Sequence, residues 1–284
     1  MGLGGYLTWT AAAKNICDRI SGVKVIPFES HNNLIRPIKS EIFFNNPKII
    51  QDFSDNNLDY CVPMILNNPS ANYCKKDTPI KAIHRYDKHI IEQICETFGI
   101  QDPELKCELF LTEQEQSWAD QFFGEHSSNK KTIVIEPQSN DEYSCNKVYP
   151  FTKWQMVVNK LSRNKNYKII QVGKRTNNKI LEGVLDLTGK TSFRQASAII
   201  KNADLFVSSE GGLMHAANAV ETPAVIVYSG FIHPNMTGYK NNSNIWVGES
   251  HGPCGMKIKC DLCESDMKNH NHDEILEAIE EQLR

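Results

Sequence analysis

The segment DLFVSSEGGLMHAANAVETPAVIVY, residues 204–228, decides how the rest of the chain is read. Leu205-Phe206-Val207 and Ala224 to Tyr228 are short apolar runs of strand length, and a helix is expected over 213–220. The segment therefore reads strand, tight turn, helix, strand, with Gly211 and Gly212 in the turn at the carboxyl end of the first strand. In open α/β sheets that edge is where ligands bind. Glycines let a phosphate come close to the backbone, and the free N–H groups and positive dipole end of the next helix favour an anion. Glu210 would repel a phosphate, so it is expected to accept hydrogen bonds from ribose hydroxyls instead. His215 sits one helical turn after Gly211 and can point to the same mouth. A lone Gly-Gly pair reads more simply as a turn, and a lone histidine as a satisfied buried side chain. Convergence of the acid, the glycines and the histidine on one strand end favours a nucleotide site.

Upstream, the same rhythm holds. Strands are expected at 132–135, 168–172, 204–207 and 224–228, alternating with helices at 153–161, 194–201 and 213–220. Strands alternating with helices predict a parallel sheet covered on both faces. Two further segments of this half carry polar groups to strand ends. The loop after Ile135 holds Ser139, a donor to phosphate, and Lys147, a mobile positive charge ahead of a helix that Trp154 anchors in the core. The turn at Gly189, followed by Thr191 and Ser192, reads as a helix cap that can also cover a nucleotide base.

The first half is less regular. A helix over 3–20 would place Leu7, Ala11, Ile16 and Ile20 near helical spacing. A buried strand is expected at 23–28 and another within 58–66, with helices at 86–98 and 113–123, the latter capped by Thr112. The polar stretch 124–131 marks a boundary. The chain of 284 residues is long enough for two domains at roughly 100–200 residues each, and each could bury its own core. The expected division is 1–128, 129–268 and a C-terminal helix in 269–284.

The net charge of −3 exerts no general pull toward nucleic acid or an anionic membrane. No apolar run approaches the roughly 20 residues that span a bilayer, so membrane contact is expected to be peripheral at most. The first residues, MGLGGYL, lack a basic region followed by an apolar stretch, so no secretory signal is expected there. Cys17, Cys61, Cys74, Cys95, Cys107 and Cys145 are scattered, which suits a reducing cytosol.

The motifs together resemble glycosyltransferase family nine, the ADP-heptose:lipopolysaccharide heptosyltransferases, best over residues 130–250. Lys147 with Tyr149-Pro150 resembles the family's lysine and aromatic-proline pair before a helix. Asp186 to Ser192 resembles its threonine-glycine-lysine-threonine-serine segment, and Glu210-Gly-Gly-Leu-Met-His215 its acid-x-glycine-x-x-histidine signature. Thr222-Pro223 to Gly230, Pro234 and Gly238-Tyr239 continue the match. The resemblance implies the GT-B architecture, an α/β fold of two Rossmann-like domains facing a central cleft. It further implies Ser139 and Lys147 on a donor diphosphate, Thr191 near the base, and Glu210, Gly211, Gly212 and His215 on the ribose and phosphates. Gly4 and Gly5 resemble the family's opening acceptor-side glycine-rich loop, which a strand ordinarily precedes. Where that family carries the aspartate thought to be its catalytic base, this sequence has Gly5. A group that takes the acceptor proton is required for inverting transfer. Another carboxylate or histidine substitutes, the acceptor differs, or the chain is not catalytic.

The expected activity is transfer of a heptose-like sugar, with inversion, from a nucleotide-diphosphate sugar to a bacterial surface glycan or lipid-linked glycan. It would occur in the cytoplasm or at the inner face of the cytoplasmic membrane and require no cofactor. A non-catalytic nucleotide-sugar-binding protein of the same fold is the alternative. A nicotinamide-dependent oxidoreductase ranks last, since Gly2-x-Gly4-Gly5 is an incomplete fingerprint. One cluster stands apart: Cys254, Cys260 and Cys263, followed by His270 and His272, have the spacing of a structural zinc site or of reduced cysteines packing a loop.

Overall fold

The computed structural model describes residues 2–31, 34–52, 60–66, 74–126, 129–138, 143–175 and 179–284. The first half begins with α1 (Leu3–Arg19), β1 (Lys24–His31) and β2 (Leu34–Pro37), followed by β3 (Cys61–Leu66), β4 (Cys74–Asp77) and β5 (Ala82–His84). Then come α2 (Ile90–Glu96) and α3 (Glu113–Glu125). β1 pairs with β3 in parallel and with β2 antiparallel, and β4 and β5 form a separate hairpin. The second half runs β6 (Lys131–Glu136), α4 (Phe151–Leu161), β7 (Tyr167–Gln171), β8 (Leu185–Asp186), α5 (Phe193–Lys201), β9 (Leu205–Ser209) and α6 (Gly212–Ala219). It continues with β10 (Ala224–Tyr228), α7 (Pro234–Thr237), β11 (Asn242–Trp246), α8 (Asp261–Asn269) and α9 (Asp273–Gln282).

The six strands of the second half are all parallel, in the order β11-β10-β9-β6-β7-β8. Counted from β6, this is the doubly wound order 3-2-1-4-5-6, whose direction of winding reverses between β6 and β9. Strand alternation sends successive side chains to opposite faces. Ile133, Ile135, Leu205, Val207, Val225 and Val227 pack with Trp154, Val157 and Val158 of α4 and with Ile275 and Ile279 of α9. Val134, Phe206, Ala224, Ile226 and Tyr228 pack on the other face with α5 and α6.

That second face does not end at the sheet. One continuous apolar cluster joins it to Leu7, Trp9 and Ile16 of α1, Val25 of β1, Met64 and Leu66 of β3 and Ile91 and Ile94 of α2. This cluster spans both halves, while the cluster on the other face of the sheet belongs to the second half alone. Arg194 of α5 fastens the halves further. It is 4% exposed, holds both oxygens of Glu115 at 2.7 and 2.8 Å, and donates to the carbonyls of Glu41 and Phe110 at 2.8 and 2.5 Å.

Two sequence expectations shift. Ile20 lies outside α1 and is half exposed, while α1 buries Ala11, Ala12, Ala13 and Thr10 along with its large residues. It is a central helix surrounded by others, so no single stripe describes it. α2 starts at Ile90 and not near Tyr86, because His89 caps it: its side chain accepts from Ile91 N–H at 3.2 Å while Glu92 accepts from His89 N–H at 2.7 Å. Among the described residues, no helix is long and apolar enough to cross a membrane.

Candidate functional site

The carboxyl ends of β6 and β9 flank the point where the winding reverses, the place where open α/β sheets take ligands. Glu136 ends β6, and Glu210 follows the last residue of β9. Over them lies a cavity of about 550 Å³, in the size range of small-molecule sites. Three helices start at its wall: Gly2 to Gly5 open α1, Thr191 and Ser192 lead into α5, and Gly211 and Gly212 lead into α6. No side chain caps α1 or α6, so their first-turn N–H groups have no partner within the helix. Their dipoles favour negative charge in the cavity.

Lys147 ends a short 3-10 helix, Cys145–Lys147, that Ser144 caps. Its ammonium pairs with the Glu210 carboxylate, the two side chains being 14% and 8% exposed, and stands 5.9 Å from the centre of the Phe231 ring. His215 is buried, with Nδ1 2.6 Å from the Tyr239 hydroxyl, which is in turn 3.2 Å from Cys107 Sγ. Burial, helped by the charge of Lys147, holds the His215 pKa down to about 3, so it is a neutral hydrogen-bonding group at physiological pH. Ser192 forms a capping box with Gln195, as the sequence suggested, and Gly189 has φ +66°, a conformation that a side chain would strain.

The structure thus brings Lys147, Thr191, Glu210, Gly211, Gly212 and His215 to one cavity, together with Gly4 and Gly5. Ser139 lies outside the described residues. Gly4 and Gly5 occupy the first turn of α1, within the helix expected over 3–20. The glycine at position 4 serves a close helix crossing. A Cβ there would lie 2.8 Å from Gly212 Cα and 3.1 Å from His215 Cδ2. Only a bare backbone lets α1 and α6 bring their amino ends to the same mouth.

Sequence reasoning passed over three lining groups. Glu136 is 8% exposed, its Oε2 has no hydrogen-bond partner among the described residues, and burial pushes its pKa up to about 8 against the pull of Lys147. Lys174 and Arg175 follow β7 and line the same wall. All three sit at carboxyl ends of strands, so the rule that singled out Glu210 applies to them as well. At neutral pH the described lining carries three cations against two carboxylates, one of which burial keeps mostly protonated.

The cysteine cluster lies apart from this cavity. Cys254 and Cys263 place their sulfurs 3.4 Å apart, and the ligand atoms of Cys260, Cys263 and His251 all fall within 4.8 Å of one another. The expected histidines are not the partners. His270 Nδ1 meets the Tyr149 hydroxyl at 2.9 Å and its Nε2 meets Glu274 at 3.0 Å, while His272 lies beside Asp273.

The model of glycosyltransferase family 9 (heptosyltransferase) matches residues 63–262. The chain belongs to this family. A comparison with curated protein sequences found no match. Among solved structures, a glycosyl transferase family 9 protein from Veillonella parvula DSM 2008 is similar over 100% of this chain and 94% of its own, with a TM-score of 0.68 at 15% identity. The E. coli heptosyltransferase WaaC with ADP is similar over 99% of this chain and 95% of its own, with a TM-score of 0.58 at 14% identity. The iron-containing dodecameric glycosyltransferase TibC from enterotoxigenic E. coli covers 99% and 73%, with a TM-score of 0.67 at 15% identity. These likenesses show the fold: the family 9 chain has the α/β GT-B architecture, with an N-terminal sheet of order β2-β1-β3 among the described residues.

Proposed function

We propose that this family 9 chain transfers a heptose-like sugar, with inversion, from a nucleotide-diphosphate sugar to a bacterial surface glycan or its lipid-linked precursor, at the cytoplasmic face of the membrane. The observation that carries the reading is the convergence of the α1, α5 and α6 amino ends with Lys147 and Arg175 on one cavity at the switch point. WaaC has been solved with ADP and TibC with ADP-D-beta-D-heptose, which supports an adenine nucleotide as the first donor to try.

In this reading Lys147 leaves Glu210 for the donor diphosphate, and the freed Glu210 carboxylate accepts from the ribose hydroxyls. Ser139 adds a phosphate contact, Thr191 borders the base, and the N–H groups of Gly211 and Gly212 face a phosphate. Domain boundaries near 128 and 268 put the donor side in the second half and the acceptor side in the first. The acceptor hydroxyl attacks the anomeric carbon as the bond from that carbon to the phosphate oxygen breaks, so a single displacement inverts the centre. Negative charge growing on the leaving diphosphate meets the helix ends and Lys147. The proton of the attacking hydroxyl needs an acceptor, and Gly5 has none to offer. Among the described lining groups, Glu210 is by then taken up by the ribose hydroxyls, and His215 is engaged by Tyr239. Glu136 has an oxygen without a partner and is assigned that role. No step calls on a metal or cofactor.

Thermal stabilisation and calorimetry with ADP, GDP, UDP and ADP-heptose test the reading. Stabilisation by ADP and ADP-heptose is expected. Indifference to every nucleotide would sink it. The Gly5 position motivates the second reading, a nucleotide-sugar binder without transfer. Tight donor binding with no product across a broad acceptor panel selects it.

A further inference from the structure

We propose that Cys254, Cys260, Cys263 and His251 form a closed structural site for one thiophilic tetrahedral cation, zinc in the first instance, with His251 as the fourth ligand and Asp266 orienting it. The inference does not depend on the donor reading, because it concerns a different part of the molecule and is read out by metal content.

The spacing of the ligand atoms fits such an ion. Zinc bonds of about 2.3 Å to sulfur and about 2.0–2.1 Å to nitrogen, arranged tetrahedrally, put neighbouring sulfurs about 3.8 Å apart and a sulfur and nitrogen about 3.5 Å apart. Cys254 and Cys263 sulfurs are 3.4 Å apart, and Cys263 Sγ is 3.5 Å from His251 Nε2. Cys260 Sγ lies within 4.8 Å of Cys263 Sγ and of a ring nitrogen of His251. The first distance is far too long for a disulfide, which needs about 2.05 Å, and all three thiols are free. Three sulfurs and one nitrogen are soft donors in a geometry that selects zinc or iron over magnesium or calcium. Four protein ligands leave no open position, so the ion would act on structure and not on substrate.

The surroundings are built for it. His251 Nδ1 lies 3.0 Å from Asp266 Oδ2, which turns Nε2 toward the sulfurs, the usual outer partner of a metal-bound histidine. The Met256 N–H donates to Cys254 Sγ at 3.4 Å, a contact that favours thiolate there. Gly230 presents a bare Cα to the cluster: a Cβ would stand 2.7 Å from His251 Nε2 and 3.1 Å from Cys263 Sγ. Gly255, with φ +63°, turns the chain directly after Cys254.

The segment so tied makes contacts in two directions. Gly255 O accepts from Ala82 N–H at 2.8 Å and Lys257 N–H donates to Ile80 O at 2.7 Å, which holds the β4–β5 hairpin of the first half. Met256 O accepts from Ser144 Oγ and Asn146 Nδ2 at 2.8 and 2.7 Å, and Cys260 N–H donates to Asn146 Oδ1 at 2.8 Å. Asn146 precedes Lys147. The ion would therefore clip a loop that braces both the hairpin and the segment carrying the cavity's lysine.

The test is metal analysis of the purified full-length chain by mass spectrometry, followed by cobalt titration of chelator-stripped protein. About one equivalent of zinc or iron is expected, with His251→Ala and Cys260→Ser losing it and His272→Ala keeping it. Cobalt is expected to give the thiolate charge-transfer and intense visible bands of a tetrahedral sulfur-rich site. Should a variant fail to fold, the cobalt spectrum of the stripped wild-type chain still decides. Substoichiometric metal together with no cobalt bands overturns the site, and retention of full metal by His251→Ala overturns the ligand set. Bound iron in place of zinc would be seen as ferric-thiolate colour and would support the same four ligands.

Discussion

Replacing Lys147 by methionine keeps most of the side chain's volume and removes its charge. In the absence of a nucleotide this strands the Glu210 carboxylate, 8% exposed, without its ion-pair partner. Breaking a buried pair from one side costs roughly 3–5 kcal/mol. Lys147 retains 14% exposure at the cavity wall, so the expected loss is about 3 kcal/mol, the lower end of that range, measured by guanidinium unfolding. The double variant K147M/E210Q removes the stranded charge as well and is expected to recover most of it, giving a large coupling term in the cycle. Donor binding responds separately. A charge-assisted contact to the diphosphate is worth about 1.5–3 kcal/mol. By calorimetry K147M should therefore bind ADP about 10- to 150-fold more weakly, and the double variant should not regain it. If folded K147M binds ADP as tightly as the parent chain, Lys147 is not a donor contact. If the single variant is as stable as the double, the ion pair does not carry the burial of Glu210.

Gly4→Ala forces a Cβ to within 2.8 Å of the Gly212 backbone, so α1 and α6 must separate; a stability loss of about 1–3 kcal/mol is expected with weaker ADP binding, and parent-like unfolding and affinity would remove the close-crossing argument. Arg194→Ala takes the ion-pair partner from Glu115 and the donor from two carbonyls between the halves and should cost about 3 kcal/mol, with Arg194→Lys recovering little because an ammonium cannot span the fork; full recovery by lysine would contradict this. Glu136 has its carboxyl raised by burial from 4.5 to about 8, so its contribution to stability is complete at low pH and falls away as pH rises toward about 8. Glu136→Gln should therefore match the parent's stability near pH 4 and exceed it progressively up to about pH 8, above which the difference levels off; a difference independent of pH would refute the shift. As the proposed proton acceptor, Glu136 must ionise, so parent turnover should rise with pH through about 8 and E136Q should bind donor while losing turnover.

Much of the second half could be read before any coordinates. Apolar runs of strand length, periodic helices between them and the glycines after Ser209 are local signals, and they located β6, β7, β9, β10, α5 and α6 to within a residue or two. β8, with two residues, is too short to show a period, and β11 is an edge strand reading Asn-Ser-Asn-Ile-Trp that is mostly half buried, so its polar face hides it. The β4–β5 hairpin carries exposed lysines and takes part of its hydrogen bonding from Gly255 and Lys257, far along the chain. Glu136 was in plain view at a strand end. What set it apart was a burial that no neighbouring residue announces.

The sequence by itself determined the kind of site: a strand-turn-helix with glycines in the turn, a lysine ahead of a helix and a cysteine cluster, each a matter of spacing along fewer than some 20 residues. The tertiary structure decided which partners those groups take. Gly4 meets Gly212 across the shared core, Lys147 meets Glu210 over the switch point, and His251, not His270 or His272, meets the thiols. Such pairings depend on how helices and strand ends are brought together in space. Local periodicity fixes the face a residue shows, and only packing of the whole chain fixes what that face meets.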